Sequence, residues 1–331
     1  ALQNFKSLYS AYPNSAESDN ALEYIRNIFV EEQQPEAYVQ FMNDFGKPLS
    51  FNEQDSLMYR AAIIQYEDKK YSNATNGFRK YLEGYPEGKY QMNAMNYLAE
   101  MAYSLDQYDT AAVYFGKIAN KAPNQFSERA AITAARLYYF NLKDYVGAEQ
   151  YFKIVLQYAT QQEQKNEAIK GLLRCQYKAE NWIEASKTAV LILADKNSAT
   201  DDVLMANMAL YHQTIVQKDT ISALQILNTV LKSNSSMYTA EAHYLTAYIY
   251  FNQQKYNIAE KTAFDVIKKQ ASYEFWVTKT YILLGDIYLA QNDSFNAIAT
   301  YKSIAENATI PALQQIASDK LKAITETIKA Q

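Results

Sequence analysis

Residues 55–91 read DSLMYRAAIIQYEDKKYSNATNGFRKYLEGYPEGKYQ, and this stretch holds one complete structural unit. Its first half places Met58, Ala61, Ala62 and Gln65/Tyr66 three and four residues apart, the spacing of one helix face. Asp55 or Ser56 stands where an N-cap is expected. The polar run Glu67-Asp68-Lys69-Lys70 breaks the pattern, and a second face then gathers Tyr71, Ala74, Phe78, Tyr81 and Leu82. Gly84 and Pro86 end it, because glycine caps a helix and proline cannot continue one. The reading is a helix–turn–helix unit with roughly 14 residues in each helix.

The unit recurs along the whole chain. Ala37, Ala74, Ala111, Ala148, Ala185, Ala223, Ala259 and Ala297 are 37, 37, 37, 37, 38, 36 and 38 residues apart. Four residues after them stand Phe41, Phe78, Phe115, Phe152, Ala189, Leu227, Ala263 and Tyr301, and Ala1 with Phe5 extends the series one step back. Tyr71, Tyr108, Tyr145, Trp182 and Tyr256 precede their alanines by three. With alanine at about one residue in ten, eight such coincidences have a chance on the order of 10⁻⁸ before choice of register. A fixed period of this length means a repeat array. The small alanine lets two helices approach, and the residue one turn later fills the space between units.

Composition agrees with a helical array. The 331 residues are 49% hydrophobic, with only 8 glycines and 6 prolines, as short turns between helices require. The 32 basic and 36 acidic residues are interleaved, giving a net charge of −4 and no basic block for nucleic acid or an anionic membrane. No apolar run reaches 18 residues, so no membrane span is expected. The chain begins inside a repeat, which suggests further repeats upstream. Pro311 opens a last helix whose stripe is Leu313, Ala317, Leu321, Ile324 and Ile328, suited to closing the stack.

The small residue, aromatic, alanine, bulky residue and terminal proline of each unit resemble the tetratricopeptide repeat (TPR). Twelve residues ahead of the alanine stand Ala62, Ala99, Ala247 and Gly285, and nine ahead stand Tyr139, Tyr250 and Tyr288. The terminal proline is Pro13, Pro86 and Pro123. The resemblance covers essentially the whole chain and implies an all-α fold, an α-α superhelix of about eight helix–turn–helix repeats plus a C-terminal capping helix. Residues 1–331 are then one solenoid: 1–15 the second helix of a truncated repeat, 16–310 the repeats, 311–331 the last helix. The period exceeds the usual 34 residues by about three. Ile25, Arg136, Leu173 and Tyr211 fall where a small residue is expected, so those four registers are candidates for a one-residue slip. The segment FRKYLEGYPEGKYQMNAMNYLAEMAY, residues 78–103, is similar to TPR proteins of Gram-negative cell envelopes, and FKSLYSAYPNS, residues 5–15, repeats its phrase. That likeness implies a periplasmic or outer-membrane-associated scaffold.

Enzyme chemistry finds no support in the motifs. His212 and His243 are 31 residues apart, and with the single Cys175 they make no zinc pattern. No Gly-rich phosphate loop or Gly-x-Ser-x-Gly elbow occurs, no cofactor is implied, and Cys175 reads as a small buried hydrophobe. The feature with binding potential is a ladder eight residues ahead of the alanines: Phe29, Tyr66, Tyr103, Phe140, Tyr177, Ile215, Phe251 and Leu289. In the family this resembles, first helices line the concave face. The expected groove residues are Tyr59, Ile63, Tyr66, Tyr103, Leu137, Phe140, Arg174, Tyr177, Met208, His212, Tyr244, Tyr248 and Phe251. Two readings stay open: packing between neighbouring first helices, or a peptide groove in which tyrosine offers large area and a polar tip. The carboxylate clamp of some TPR domains is matched only in part, by Lys170 and Arg174. The expected function is a non-catalytic scaffold that binds another protein or peptide. Capture of glycans or small solutes, or an oligomerising spacer self-associating through its end repeats, are the alternatives.

Overall fold

The computed structural model describes residues 1–13, 15–234 and 236–330, with side chains through Glu326. The secondary structure of these residues is helical, without strands. The helices are α1 (Leu2–Ala11), α2 (Ala16–Glu31), α3 (Pro35–Asp44), α4 (Phe51–Glu67), α5 (Tyr71–Gly84), α6 (Gln91–Ser104), α7 (Tyr108–Ala119), α8 (Ser127–Arg136), α9 (Tyr145–Tyr158), α10 (Gln162–Lys178), α11 (Trp182–Ala194), α12 (Thr200–Val216), α13 (Thr220–Val230), α14 (Met237–Asn252), α15 (Tyr256–Lys269), α16 (Glu274–Ala290), α17 (Ser294–Asn307) and α18 (Pro311–Ala330). A π-helical turn, Leu137–Asn141, continues α8. Eight hairpins, α2–α3 through α16–α17, therefore stand between α1 and α18 among the described residues. This is the expected all-α architecture of successive helix pairs. Contacts divide the chain into two compact units, residues 1–171 and 172–331, and the boundary falls inside α10.

The alanine column is the contact between paired helices. Ala74, Ala111, Ala148, Ala185, Ala223, Ala259 and Ala297 have no exposed surface, and Ala37 is half-buried. The residues four later, from Phe41 to Tyr301, are all buried. Between α4 and α5 the approach is close: a Cβ added to Gly77 would stand 2.9 Å from Ala62 Cβ. Between α16 and α17 the ring of Tyr301 lies directly on Gly285.

Each hairpin turn has one shape. Gln33, Lys69, Asp106, Lys143, Glu180, Lys218, Gln254 and Asn292 all sit in the left-handed region, with φ between 54° and 63°. In seven of these turns the next residue returns its N–H to the carbonyl five back, as in Lys70 to Gln65 at 2.8 Å and Asp219 to Thr214 at 2.9 Å. This satisfies carbonyls that a helix end leaves open. None of the eight is glycine, although a side chain there costs energy.

The eighth turn explains one irregular repeat. Asp144 reaches six residues back, to Tyr138, and Leu142 closes a π-type bond to Leu137 at 3.0 Å. The π turn inserts one residue. Fully buried Ala135 then takes the small-residue place, thirteen ahead of Ala148, and Arg136 turns outward. Of the four suspect registers only this one slips. Ile25, Leu173 and Tyr211 stay in place and are buried.

Two further readings change. The first helix of residues 55–91 begins at Phe51, with Ser50 and Glu53 forming a reciprocal capping box, so neither Asp55 nor Ser56 is its cap. Asp55 is instead a buried staple: it accepts from Tyr81 Oη at 2.6 Å and from the Lys89 N–H at 3.1 Å. The Tyr90 N–H donates to Tyr81 Oη at 3.0 Å. Gly88 passes so close over this pair that a Cβ would meet Asp55 Oδ1 and Tyr81 Oη. The Tyr-Leu-x-x-Tyr-Pro-x-Gly phrase thus closes the turn between α5 and α6. In α18, Leu313 and Ala317 are buried, and Leu321 and Ile324 pack against the cluster they form with Ile282, Ala297, Tyr301 and Ile304. The Ile328 side chain lies outside the described residues.

Three substitutions test this account by urea denaturation. Phe115→Ala should cost about 3–5 kcal/mol as a core truncation, whereas Tyr103→Ala, at a side chain 47% exposed, should cost under about 0.5 kcal/mol. Equal losses would make the ladder a core element. Lys218→Gly, at φ 61°, should raise stability by about 0.5–1 kcal/mol; a decrease would show that the lysine side chain outweighs the backbone strain.

Candidate functional site

In the first unit the expected groove residues fall into two kinds. Tyr59 stacks on Tyr90 at 4.4 Å and 7° and touches Phe78 at 5.9 Å. Burial pushes its phenol up to about 12. Ile63 packs against the same core. Tyr66 meets Tyr97 at 4.6 Å and Tyr71 at 5.7 Å. These three fill the seam between successive first helices. Tyr103 rests only its edge on Tyr108, 6.0 Å away, and leaves a face open.

The π turn rearranges the next rung. Elsewhere the ladder aromatic meets the ring five residues on, as in Tyr66–Tyr71, Tyr103–Tyr108, Tyr177–Trp182 and Phe251–Tyr256. Here Tyr139 makes that contact, with Tyr145 at 5.3 Å. Phe140 is displaced to 57% exposure, and Leu137 is buried, so Leu137 offers nothing to a ligand. Two ion pairs join first helices of this unit: Arg129 with Glu100 at 2.7 Å and Arg136 with Glu167 at 2.7 Å. A groove of about 620 Å³ in the same unit, floored by Ala62 and Gly77 and flanked by Phe51 and Tyr85, contains none of the expected residues.

The second unit assembles a denser cluster. Met208 is fully buried in the core and is not a groove residue. Tyr244 is buried too, but at the surface edge of its cluster, stacked with Tyr248 at 6.1 Å; Tyr248 is 42% exposed. Half-buried Phe251 leans on Tyr256. Arg174 donates to the buried Asp202 at 2.8 Å. His212 lies flat on Trp182 at 4.1 Å and 16° and is edged by Tyr177 and Tyr211.

At the centre is a residue the sequence reading missed, Glu241. It is 9% exposed. Its Oε1 is 3.5 Å from His212 Nε2, and its Oε2 accepts from Tyr177 Oη at 3.5 Å. Burial first, and then the Glu241 charge, push the Tyr177 and Tyr211 phenols above the ordinary range. Tyr238 is pushed up to about 12 by burial, then Asp201 and Glu241. These phenols therefore remain hydrogen-bond donors throughout the neutral range. Half-buried Lys279 sits over the rings of Tyr244, Trp276 and Phe275 at 4.9, 5.1 and 5.7 Å. Burial lowers its pKa and Glu241 opposes that. The signal for Glu241 was present: it precedes Tyr244 by three and Tyr248 by seven, on the same helix face.

Among the described residues no group of three or more His, Cys, Asp or Glu is placed to hold a metal ion, and no helix is long and apolar enough to cross a membrane. Cys175 is buried. The cluster around Glu241 presents aromatic faces, phenol donors and a carboxylate.

No family model and no curated protein matches the chain. Solved structures do. A TPR protein from Parabacteroides merdae is 13% identical, with a TM-score of 0.41 over 82% of this chain and 98% of its own. The P58(IPK) TPR domain is 14% identical, with a TM-score of 0.38 over 99% of this chain and 93% of that one. The human IFIT1 dimer with PPP-AAAA is 18% identical, with a TM-score of 0.44 over 100% of this chain and 74% of that one.

The second histidine is set apart from this cluster. Burial holds the His243 imidazole below its usual 6.5; Lys269 acts the same way and Asp265 opposes. As pH falls, the unfolded chain takes the proton first, so His243 costs stability below about pH 6.5 until the folded imidazole protonates. The decline in Tm from pH 7 to pH 5 should therefore be shallower in His243→Gln. Identical declines would assign the acid sensitivity to other groups.

Proposed function

We propose that the chain is a non-catalytic scaffold whose first-helix faces hold another protein or a peptide. The observation that carries this reading is the open aromatic surface on those helices: Tyr103, Phe140 and Tyr248 are each between 42% and 57% exposed, each against another aromatic ring. Such rings gain little for folding and supply large contact area at low entropic cost when a partner covers them. Tyr59, Ile63 and Tyr66 act as the packed base that positions them, and Arg174, Tyr177, His212 and Phe251 supply the polar and aromatic rim. Residues 1–331 are read as one array of repeats. Placement in the periplasm or at the outer membrane of a bacterium is part of the proposal, carried by the residue 78–103 phrase and its repeat at residues 5–15.

The test is a pull-down from source-cell extract, with soluble and envelope fractions kept separate. The baits are the native chain and a Tyr103→Ala/Phe140→Ala/Tyr248→Ala variant shown by circular dichroism and Tm to be folded. A partner held by the native chain and lost by the variant is the expected result, and its fraction locates the protein. A partner held equally by both overturns the aromatic-face reading. Absence of any partner, with a mass that rises with concentration, would replace the scaffold by a self-associating spacer.

A further inference from the structure

We propose that Glu241 is the receptor for a lysine or arginine side chain of the polypeptide partner, held against the rings of Tyr177 and His212. This rests on the scaffold reading and specifies the chemistry of its partner.

A carboxylate taken out of water needs strong hydrogen bonds or a counter-charge, because an isolated buried charge is costly. Elsewhere on these helices that need is met. Asp202 has Arg174 at 2.8 Å, Glu100 has Arg129 at 2.7 Å, and Glu167 has Arg136 at 2.7 Å. Glu241 is the exception. Its two partners, Tyr177 and His212, both stand at 3.5 Å, the outer limit of a hydrogen bond, and His212 is a counter-charge only when protonated. Among the described residues no lysine or arginine nitrogen comes within 4.0 Å of it. Lys279, which feels its charge, is held instead over Tyr244, Trp276 and Phe275.

The surroundings suit an organic cation. A stacked His212–Trp182 pair and the ring of Tyr177 give flat faces beside the carboxylate, and such faces attract a Lys ammonium or Arg guanidinium. The carboxylate supplies the charge-assisted bond that fixes it. Tyr248, exposed one helical turn beyond Tyr244, offers the apolar stem of the side chain a surface. A partner presenting a basic side chain would complete Glu241 in the way Arg174 completes Asp202.

The chain's two tryptophans, Trp182 and Trp276, permit a direct reading. In a Trp276→Phe background, emission reports Trp182, which stacks on His212. The probes are the capped tripeptides acetyl-Gly-Lys-Gly-amide and acetyl-Gly-Arg-Gly-amide, the neutral acetyl-Gly-norleucine-Gly-amide, and 1,4-diaminobutane, titrated at pH 8 and constant ionic strength. The lysine or arginine peptide should change the emission saturably with a millimolar dissociation constant, and norleucine should not. Glu241→Gln, which keeps the side chain's size and whose fold is checked by Tm, should weaken that binding at least about tenfold. No saturation by either basic peptide, equal binding of norleucine, or full binding in Glu241→Gln each overturn the proposal. Tighter binding of the diamine than of both peptides would reassign the site to small amines and also overturn it. The two readings fail separately: a partner lost with the exposed rings while the peptides do not bind leaves the scaffold and removes only the Glu241 receptor.

Discussion

The close contact of paired helices at alanine and glycine sets everything else. Where Gly77 meets Ala62 there is no room for a side chain between backbones, so the bulk that fills the core comes from the neighbouring Phe78, one turn beyond Ala74. The same contact leaves the opposite face of each first helix uncovered by its own partner. Aromatic residues there find their packing sideways, on the next first helix: Tyr59 on Tyr90 and Tyr66 on Tyr97, each 31 residues apart. A face that is half core and half surface follows directly from an alanine column on the other side.

The turn is the second fixed part. With a left-handed residue followed by a cap whose N–H returns into the helix, the phase between first and second helix is locked to a single residue. The irregular repeat shows which part yields. One extra residue between Ala135 and Ala148 is absorbed by a π turn inside the helix, while Lys143 keeps φ 56° like its counterparts. Loosening one helical turn preserves the carbonyl bonding and the alanine contact together, whereas lengthening the loop would lose the phase. The consequence reaches the surface: Tyr139 enters the ladder and Phe140 is turned out.

The fold was legible in the sequence because it depends on residue size at a fixed period, and size is written in the residue names. Eight hairpins and a last helix follow from the alanines and the residues four later. What escaped the reading depends on geometry that no spacing carries. Asp55 looks like a cap by its place before an apolar run, yet Ser50 and Glu53 had already started the helix, and the acid serves the loop above it. Counting from Ala148 put Phe140 on the ladder and Leu137 on the surface, since a π turn leaves no mark in the spacing of alanines. Met208 sits at the right offset for a groove and is buried. Glu241 was passed over because the offsets of the resembling motif start this helix's face at Tyr244, one turn beyond it.

On the function proposed for the chain, repetition and recognition pull in different directions, and the second unit is where the repeats depart from one another. A surface made of identical rungs would bind any apolar strip equally along its length, so specificity has to come from positions where a repeat departs from its neighbours. On the first unit's helices Glu100 and Glu167 are neutralised by Arg129 and Arg136, which leaves exposed rings and no net demand for charge. Around Glu241 the repeats depart together: Trp182 replaces tyrosine at the head of its helix, His212 lies on it, and the carboxylate has only long contacts. None of these changes touches the alanine column or the left-handed turns. The residues that hold the fold and those proposed for recognition therefore occupy separate positions of the same repeat, and one set can vary while the other is held.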